Sequence, residues 1–198
     1  FFYTFDYLKD GVGIPGNWIQ PIMSIGQIAE IATMAVLGYV LKTLGWRTTM
    51  IVGVLGHAAR FAVFAYYPEP WAAILINLLH GVCYAFFFAT VYIFVDEYFP
   101  KDIRASAQGL FNVLILGIGP LLTNLGAPFL SDAFKAGNVL DYKAVFLVPT
   151  IASVVAALLL LLFFHPPRKG TVEESAALLP ASGHSEGIRA GEPAIRKG

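Results

Sequence analysis

Charged residues are scarce in this 198-residue sequence. They make up 13% of it against 57% hydrophobic residues, and the thirteen Lys and Arg balance the thirteen Asp and Glu. Ordinary soluble domains carry about 25% charged residues. The composition therefore excludes an ordinary soluble domain and indicates a membrane protein with several spans. A net charge of zero gives no reason to expect nucleic acid as a partner.

Cysteine is almost absent as well. The single cysteine, Cys83, lies in an apolar run, so the sequence as given forms no internal disulfide. It holds no CxxC motif and no His/Cys cluster, so we predict neither a metal site nor a cofactor. An intramembrane enzyme would need a nucleophile–base pair or a ligand cluster within its spans. Cys83, His57 and His80 supply neither, so we predict no catalytic residues and no enzyme.

A recognisable leader is also missing. The sequence begins at Phe1 in an apolar aromatic run, without a charged n-region, an h-region and a cleavage site. Residues 1–8 are too few to cross a bilayer. We therefore expect them to be the last two turns of a truncated helix, and the sequence to be the C-terminal part of a longer protein.

Long apolar runs fill most of the sequence. About 20 residues at a rise of about 1.5 Å cross the hydrocarbon core, which is about 30 Å thick. Within residues 9–164, five such runs between Gly-, Pro- and charge-rich loops predict five transmembrane helices. They cover residues 18–41, 48–66, 71–95, 105–130 and 142–164. Residues 165–198 are rich in Gly, Ala, Ser, Glu and Pro and lack periodicity, which predicts a disordered tail.

Lys and Arg are unevenly shared between the two sets of loops. Because basic loops remain on the inner side of a membrane, the more basic set is expected to be cytoplasmic, together with the tail. The predicted location is the inner, cytoplasmic membrane, crossed several times. The more basic set holds Lys42, Arg47, Lys101, Arg104, Arg168 and Lys169, and the other holds Lys9, Lys135 and Lys143.

Two charged residues lie deep in the predicted spans. Glu30 is the one deep acid, and Gln27 shares its helix face three residues earlier. An acid at mid-membrane costs on the order of 2.5–3.5 kcal/mol, which favours a substrate or proton site. The alternative is a Glu that joins two helices by hydrogen bonds. Arg60 is the one deep base, and His57 shares its helix face three residues earlier. Arg60 can pair with Glu30, and such a pair can serve transport or only helix packing.

Polar and aromatic residues follow one another along the third predicted span. Asn77, His80 and Tyr84 stand three and four residues apart, and Phe88 continues the stripe. His80 can relay a proton, and the rings of Tyr84 and Phe88 can stack on a planar ring. The alternative is a polar seam between packed helices. In the fourth span, Asn112 accompanies Gly and Pro residues that can interrupt a helix lining a cavity.

Several segments resemble known transporter motifs. GYVLKTLGWR at residues 38–47 resembles a cytoplasmic loop of the major facilitator superfamily. Four more segments are similar to the nucleoside:H⁺ symporter family within it: SIGQIAE at 24–30, ARFAVFA at 59–65, HGVCYAFFF at 80–88 and IRASAQG at 103–109. The resemblance covers about residues 1–164. It implies an all-α membrane protein, the C-terminal six-helix bundle of this fold with its first helix truncated, and a missing N-terminal half.

The resemblance also implies proton-coupled symport of nucleosides or a similar small polar solute. Gln27 and Glu30 match a Gln-x-x-Glu pair that is implied to bind nucleoside, with Glu30 taking part in proton coupling. His80 and Tyr84 match aromatic positions of the site, where these permeases carry Tyr and Phe. Ala85 stands where they carry Asp, so the substrate or the coupling can differ.

The remaining expectations come from the residues themselves. Phe88 is expected to offer substrate a further ring face, and Arg60, His57 and Asn112 to support the site or act in gating. The expected partners are a nucleoside-like small molecule, protons and the lipid bilayer. Two alternatives remain open, since fold does not determine cargo. One is a transporter of another solute such as a sugar, and the other is a membrane sensor that has lost transport.

Overall fold

The computed structural model describes residues 3–136 and 139–166. The predicted all-α fold class is confirmed: the long elements are helices, and the predicted tail from 167 onward lies outside the described residues. The helices are α1 Thr4–Asp6, α2 Gly16–Tyr66, α3 Pro70–Cys83, α4 Thr90–Tyr98, α5 Lys101–Asn112, α6 Gly119–Ala133 and α7 Tyr142–Phe163. Three π-helical segments extend or join them: Tyr7–Gly11 after α1, Tyr84–Ala89 between α3 and α4, and Val113–Ile118 between α5 and α6.

Among the described residues, four helical stretches are long and apolar enough to cross a membrane: Gly16–Tyr66, Pro70–Tyr98, Lys101–Ala133 and Tyr142–Phe163. The 51 residues of α2 would measure about 75 Å as one straight helix, more than twice the bilayer core. Gly45 interrupts it, with φ 73° and ψ 170°. This left-handed φ is open to glycine because glycine has no Cβ. Gly45 thus divides α2 into a first arm, residues 16–44, and a second arm, residues 46–66.

The two arms fold back on each other. Ile19 and Ile22 from the start of the first arm share one buried cluster with Phe64 and Ala65 from the end of the second. Tyr7, Leu8, Ile14, Ala73 and Phe146 complete this cluster. The core therefore joins the N-terminal turns, both arms, α3 and α7.

The ends of the bundle are lined with aromatic rings. At one end the Trp46 ring lies 5.6 Å from Phe94 and 5.8 Å from Tyr98. At the other end, the Tyr7 and Tyr142 rings lie 5.4 Å apart. Nζ of Lys143 lies 4.9 Å from the centre of the Tyr66 ring. Such amphipathic rings suit the interfaces of a bilayer.

The connection from α6 to α7 contains a short hairpin. Lys135–Ala136 pairs antiparallel with Val139–Leu140. Asp141 follows it and caps α7, because its Oδ1 accepts a hydrogen bond of 3.2 Å from the backbone N–H of Ala144. The connection between α6 and α7 therefore ends at Asp141, which caps the first turn of α7.

Candidate functional site

Helix α3 lies against the backbone of the first arm at Gly81. A Cβ added there would lie 2.6 Å from the carbonyl carbon of Ala29 and from the oxygen of Gly26, and closer still to the nitrogen of Glu30. Gly26 is also confined, since its Cβ would lie 2.9 Å from the oxygen of Asn77. Small residues let membrane helices approach this closely. The contact holds Glu30 beside α3.

The second arm packs on the other side of α3 through two more glycines. A Cβ at Gly53 would lie 2.8 Å from the nitrogen of Phe87, and one at Gly56 would lie 2.7 Å from Sγ of Cys83. Cys83 is buried and is a free thiol. Helix α3 and the π-helical segment after it are thus held between both arms of α2.

The residues expected to bind substrate lie on the first arm, on α3 and in the π-helical segment that follows α3. On the first arm Gln27 is exposed and Glu30 is partly buried. In the π-helical segment, Tyr84 is 37% exposed and its ring centre is 5.3 Å from that of Phe88, at an interplanar angle of 42°. Segments of π-helix inside α-helices are frequent at functional sites. Gln27, Glu30, Tyr84 and Phe88 together are called the polar–aromatic face below.

Arg60 lies in a buried polar contact between the second arm and α3. It is 3% exposed, and its Nη1 is 3.1 Å from Nδ1 of His80. Its Nη2 donates a long hydrogen bond of 3.4 Å to Oδ1 of Asn77. The direct pairing with Glu30 that the sequence allowed is not formed, since Glu30 makes no ion pair with another described residue.

His57 connects the second arm to the aromatic stripe. Its ring meets the ring of Phe88 edge-on at 6.3 Å and stacks on Phe61 at 6.4 Å. Its Nε2 is buried and has no hydrogen-bond partner among the described residues. Of the two deep histidines, His57 thus contacts Phe88 and His80 contacts Arg60.

Asn112 lies apart from these groups. Its Oδ1 accepts a hydrogen bond from the hydroxyl of Tyr92, which joins α4 to α5. Sequence reasoning overlooked Tyr92, although it continues the spacing of four from Tyr84 through Phe88. Asn112 directly precedes the π-helical segment that joins α5 to α6. The Gly- and Pro-rich stretch of the fourth predicted span therefore stays helical and changes from α-helix to π-helix, instead of breaking.

Ala85 is fully buried, unlike its neighbour Tyr84. Its carbonyl oxygen accepts a hydrogen bond of 3.2 Å from the hydroxyl of Thr90. The position therefore turns away from the exposed side on which Tyr84 lies.

A separate apolar cavity of about 410 Å³ lies between the N-terminal turns, the second arm, α6 and α7. It is lined by Phe61, Leu122, Val145, Phe146 and Pro149, among others, and by none of the expected substrate residues. Within residues 3–136 and 139–166, no three His, Cys, Asp or Glu side chains come together as metal ligands would.

The sequence matches known transporters. The family model described as nucleoside H⁺ symporter matches residues 1–169. The xanthosine permease of Escherichia coli K12 is 29% identical over 131 residues, which are 64% of this chain and 31% of the permease. The nucleoside permease NupG of the same organism is 30% identical over 138 residues, 68% of this chain and 33% of NupG.

The fold has a counterpart among solved structures. The crystal structure of the nucleoside transporter NupG (D323A mutant) superposes with a TM-score of 0.72 at 26% identity, over 82% of this chain and 43% of that one. The chain spans about a third of the length of the two permeases, the xanthosine permease and NupG. Four membrane-capable helices agree with an integral membrane protein. Together these findings confirm the resemblance found in the motifs: the chain belongs to the nucleoside H⁺ symporter family.

Proposed function

We propose that this protein takes part in proton-coupled symport of nucleosides across the cytoplasmic membrane. The observation that carries the proposal is the contact at Gly81. It holds Glu30, an acid within apolar helices, beside α3, which continues into the π-helical segment that carries Tyr84 and Phe88. An ionisable group at this depth marks a substrate or proton pathway by default. Family membership and the printed names of the relatives supply the substrate class.

Each residue of the polar–aromatic face suits one part of a nucleoside. The amide of Gln27 both donates and accepts hydrogen bonds, as the ribose hydroxyls require. The rings of Tyr84 and Phe88 present faces on which a base can stack. The carboxyl group of Glu30 accepts a hydrogen bond when it is ionised and donates one when it is protonated.

Glu30 is also the proposed carrier of the coupled proton. A charged carboxylate within apolar helices is unfavourable, and uptake of a proton or of a hydrogen-bond donor relieves that penalty. Loading and release of the proton can then accompany alternating access of the site to the two sides of the membrane. In this scheme Arg60 supports His80, His57 supports Phe88, and Asn112 with Tyr92 joins the helices that gate the site.

The membrane topology belongs to the same proposal. Since Gly45 divides α2 into two antiparallel arms, we assign one span to each arm, near residues 18–41 and 48–66. Residues 71–95, 105–130 and 142–164 supply three more. The bundle end that carries Trp46 is assigned to the cytoplasm, because Lys42 and Arg47 of the more basic set flank Trp46 in the sequence.

The test is uptake of labelled uridine, adenosine and xanthosine by cells that express the protein from its natural coding sequence, with and without a protonophore. Wild-type uptake should collapse when the proton gradient is removed. Glu30→Gln should lose gradient-driven accumulation, because the amide cannot bind and release the proton. It should keep exchange of labelled for unlabelled nucleoside, which needs no net proton movement.

Glu69→Gln is the matched control, because it makes the same acid-to-amide change at an exposed residue of the turn before α3. It should leave uptake unchanged. Full gradient-driven accumulation by Glu30→Gln would refute the coupling role. Absence of uptake of all three nucleosides by wild-type protein, with its presence in the membrane verified, would refute the proposed substrate class.

A further inference from the structure

The contact between Arg60 and His80 determines which ring nitrogen of His80 carries a proton. Nη1 of Arg60 lies 3.1 Å from Nδ1 of His80. A guanidinium group has only donors and stays protonated in proteins. Nδ1 must therefore accept with its lone pair. A neutral imidazole has one donor and one acceptor, so the proton resides on Nε2.

Arg60 is held in the orientation that this contact requires. It is 3% exposed, and its second terminal nitrogen donates to Oδ1 of Asn77, a residue that is 2% exposed. Its guanidinium carbon also lies 5.4 Å from the ring centre of Phe64, within range of a cation–π interaction. These contacts with Asn77 and Phe64 hold the guanidinium in place beside His80.

The His80 ring is confined from the opposite side as well. Its Cδ2 would lie 3.3 Å from a Cβ at Gly26, so the first arm borders that edge. The titratable groups near these contacts include Glu30 on the first arm, His57 and Arg60 on the second, and Cys83 on α3. A proton on Nδ1 would set two N–H groups against each other, and an imidazolium ring would also place two like charges together in a poorly screened interior.

We propose that Arg60 is a positioning residue that keeps His80 in the neutral Nε2–H tautomer, so that His80 does not carry the coupled proton. The inference deepens the proposed function and rests on it, because a coupled proton exists only if the protein is a proton symporter. Of Glu30 and His80, only Glu30 then remains as the proposed carrier of the coupled proton.

A spectroscopic measurement tests the tautomer without any need for transport. The protein, expressed from its natural coding sequence with ¹⁵N-labelled histidine, is purified in micelles, and ring-nitrogen spectra are recorded between about pH 5.5 and 8.5. The His80 signals are identified by their loss in His80→Gln. A neutral ring gives one protonated and one unprotonated nitrogen, whereas an imidazolium ring gives two protonated nitrogens.

Wild-type His80 should show a protonated Nε2 and an unprotonated Nδ1 throughout this range. In Arg60→Met, which removes both the donor and the charge, Nδ1 no longer has to accept a hydrogen bond from a cation, so a signal of protonated Nδ1 should appear. Arg104→Met, the same substitution at an exposed ion pair, should leave the His80 spectrum unchanged. An imidazolium ring at acidic pH in wild type, or a proton on Nδ1, would overturn the proposal even if Arg60→Met fails to fold.

Nucleoside exchange provides the second measurement. Uridine exchange in proteoliposomes, with equal pH on both sides, is followed over the same pH range. His80→Gln should weaken exchange but keep the midpoint of the wild-type pH profile. A shifted midpoint in His80→Gln would refute the proposal. Absence of exchange of uridine, adenosine and xanthosine in wild type would refute the proposed function, while the spectra still decide the state of His80.

Discussion

Replacement of Gly81 by alanine should disrupt the contact on which the proposed site depends. The added methyl group would meet three backbone atoms of the first arm, in Gly26, Ala29 and Glu30. Backbone atoms inside a helix cannot rotate away as the end of a flexible side chain can. The substitution is therefore expected to push α3 away from the first arm as a unit.

The magnitude follows from the distances. A methyl carbon 2.6 Å from a carbonyl carbon must move by about 1 Å to reach ordinary van der Waals separation. Overpacking of this kind costs about 1–3 kcal/mol and occasionally more. We expect the upper end of that range, because the obstruction is backbone. At 1.4 kcal/mol per factor of ten, the ratio of folded to misfolded protein should fall by roughly a hundredfold.

The assay compares thermal stability in detergent and uridine uptake for Gly81→Ala and Gly38→Ala. Gly38 lies within α2, but a Cβ there would meet no atom within 4 Å apart from the backbone of its own helix. Gly38→Ala should match or slightly exceed wild type, since alanine favours a helix by up to about 1 kcal/mol over glycine. Gly81→Ala should be strongly destabilised and inactive. Equal stability of the two variants would show that α3 and the first arm are not in backbone contact.

Three further variants probe other contacts. Phe88→Ala should raise the KM for uridine uptake by up to about tenfold, because an aromatic contact is worth about 0.5–1.5 kcal/mol; an unchanged KM would remove Phe88 from the site. Tyr92→Phe should lower thermal stability by about 1–3 kcal/mol, since Asn112 loses a hydrogen-bond donor; wild-type stability would contradict this. Asp96→Asn should change stability by less than about 1 kcal/mol, because its ion pair with Arg104 is exposed; a larger loss of thermal stability would show that the pair is structural.

Helix content was the most predictable feature. The apolar runs are long, and a bilayer requires every backbone polar group to be satisfied within its own segment, which a helix achieves. Some boundaries were less predictable. The turn expected between residues 41 and 48 is helical apart from Gly45. The first helical stretch reaches Gly11 instead of residue 8, because it widens into a π-helix.

The candidate site was predictable in its members but not in its contacts. The spacing of Gln27 from Glu30, and of Tyr84 from Phe88, shows which residues share a face of one helix. Spacing within a helix carries no information about which other helix that face meets. Arg60 therefore appeared to be a partner for Glu30, while in the structure it donates to His80 and Asn77.

The sequence by itself determined that this chain is a helical membrane protein of the nucleoside H⁺ symporter family, with one acid and one base deep in its apolar runs. Hydropathy and local motifs suffice for this, because they depend on neighbours along the chain. The tertiary structure alone decided that Gly26 and Gly81 bring two backbones into contact and that Arg60 meets His80. These pairings join residues far apart in sequence, and they depend on how closely small side chains let two helices approach.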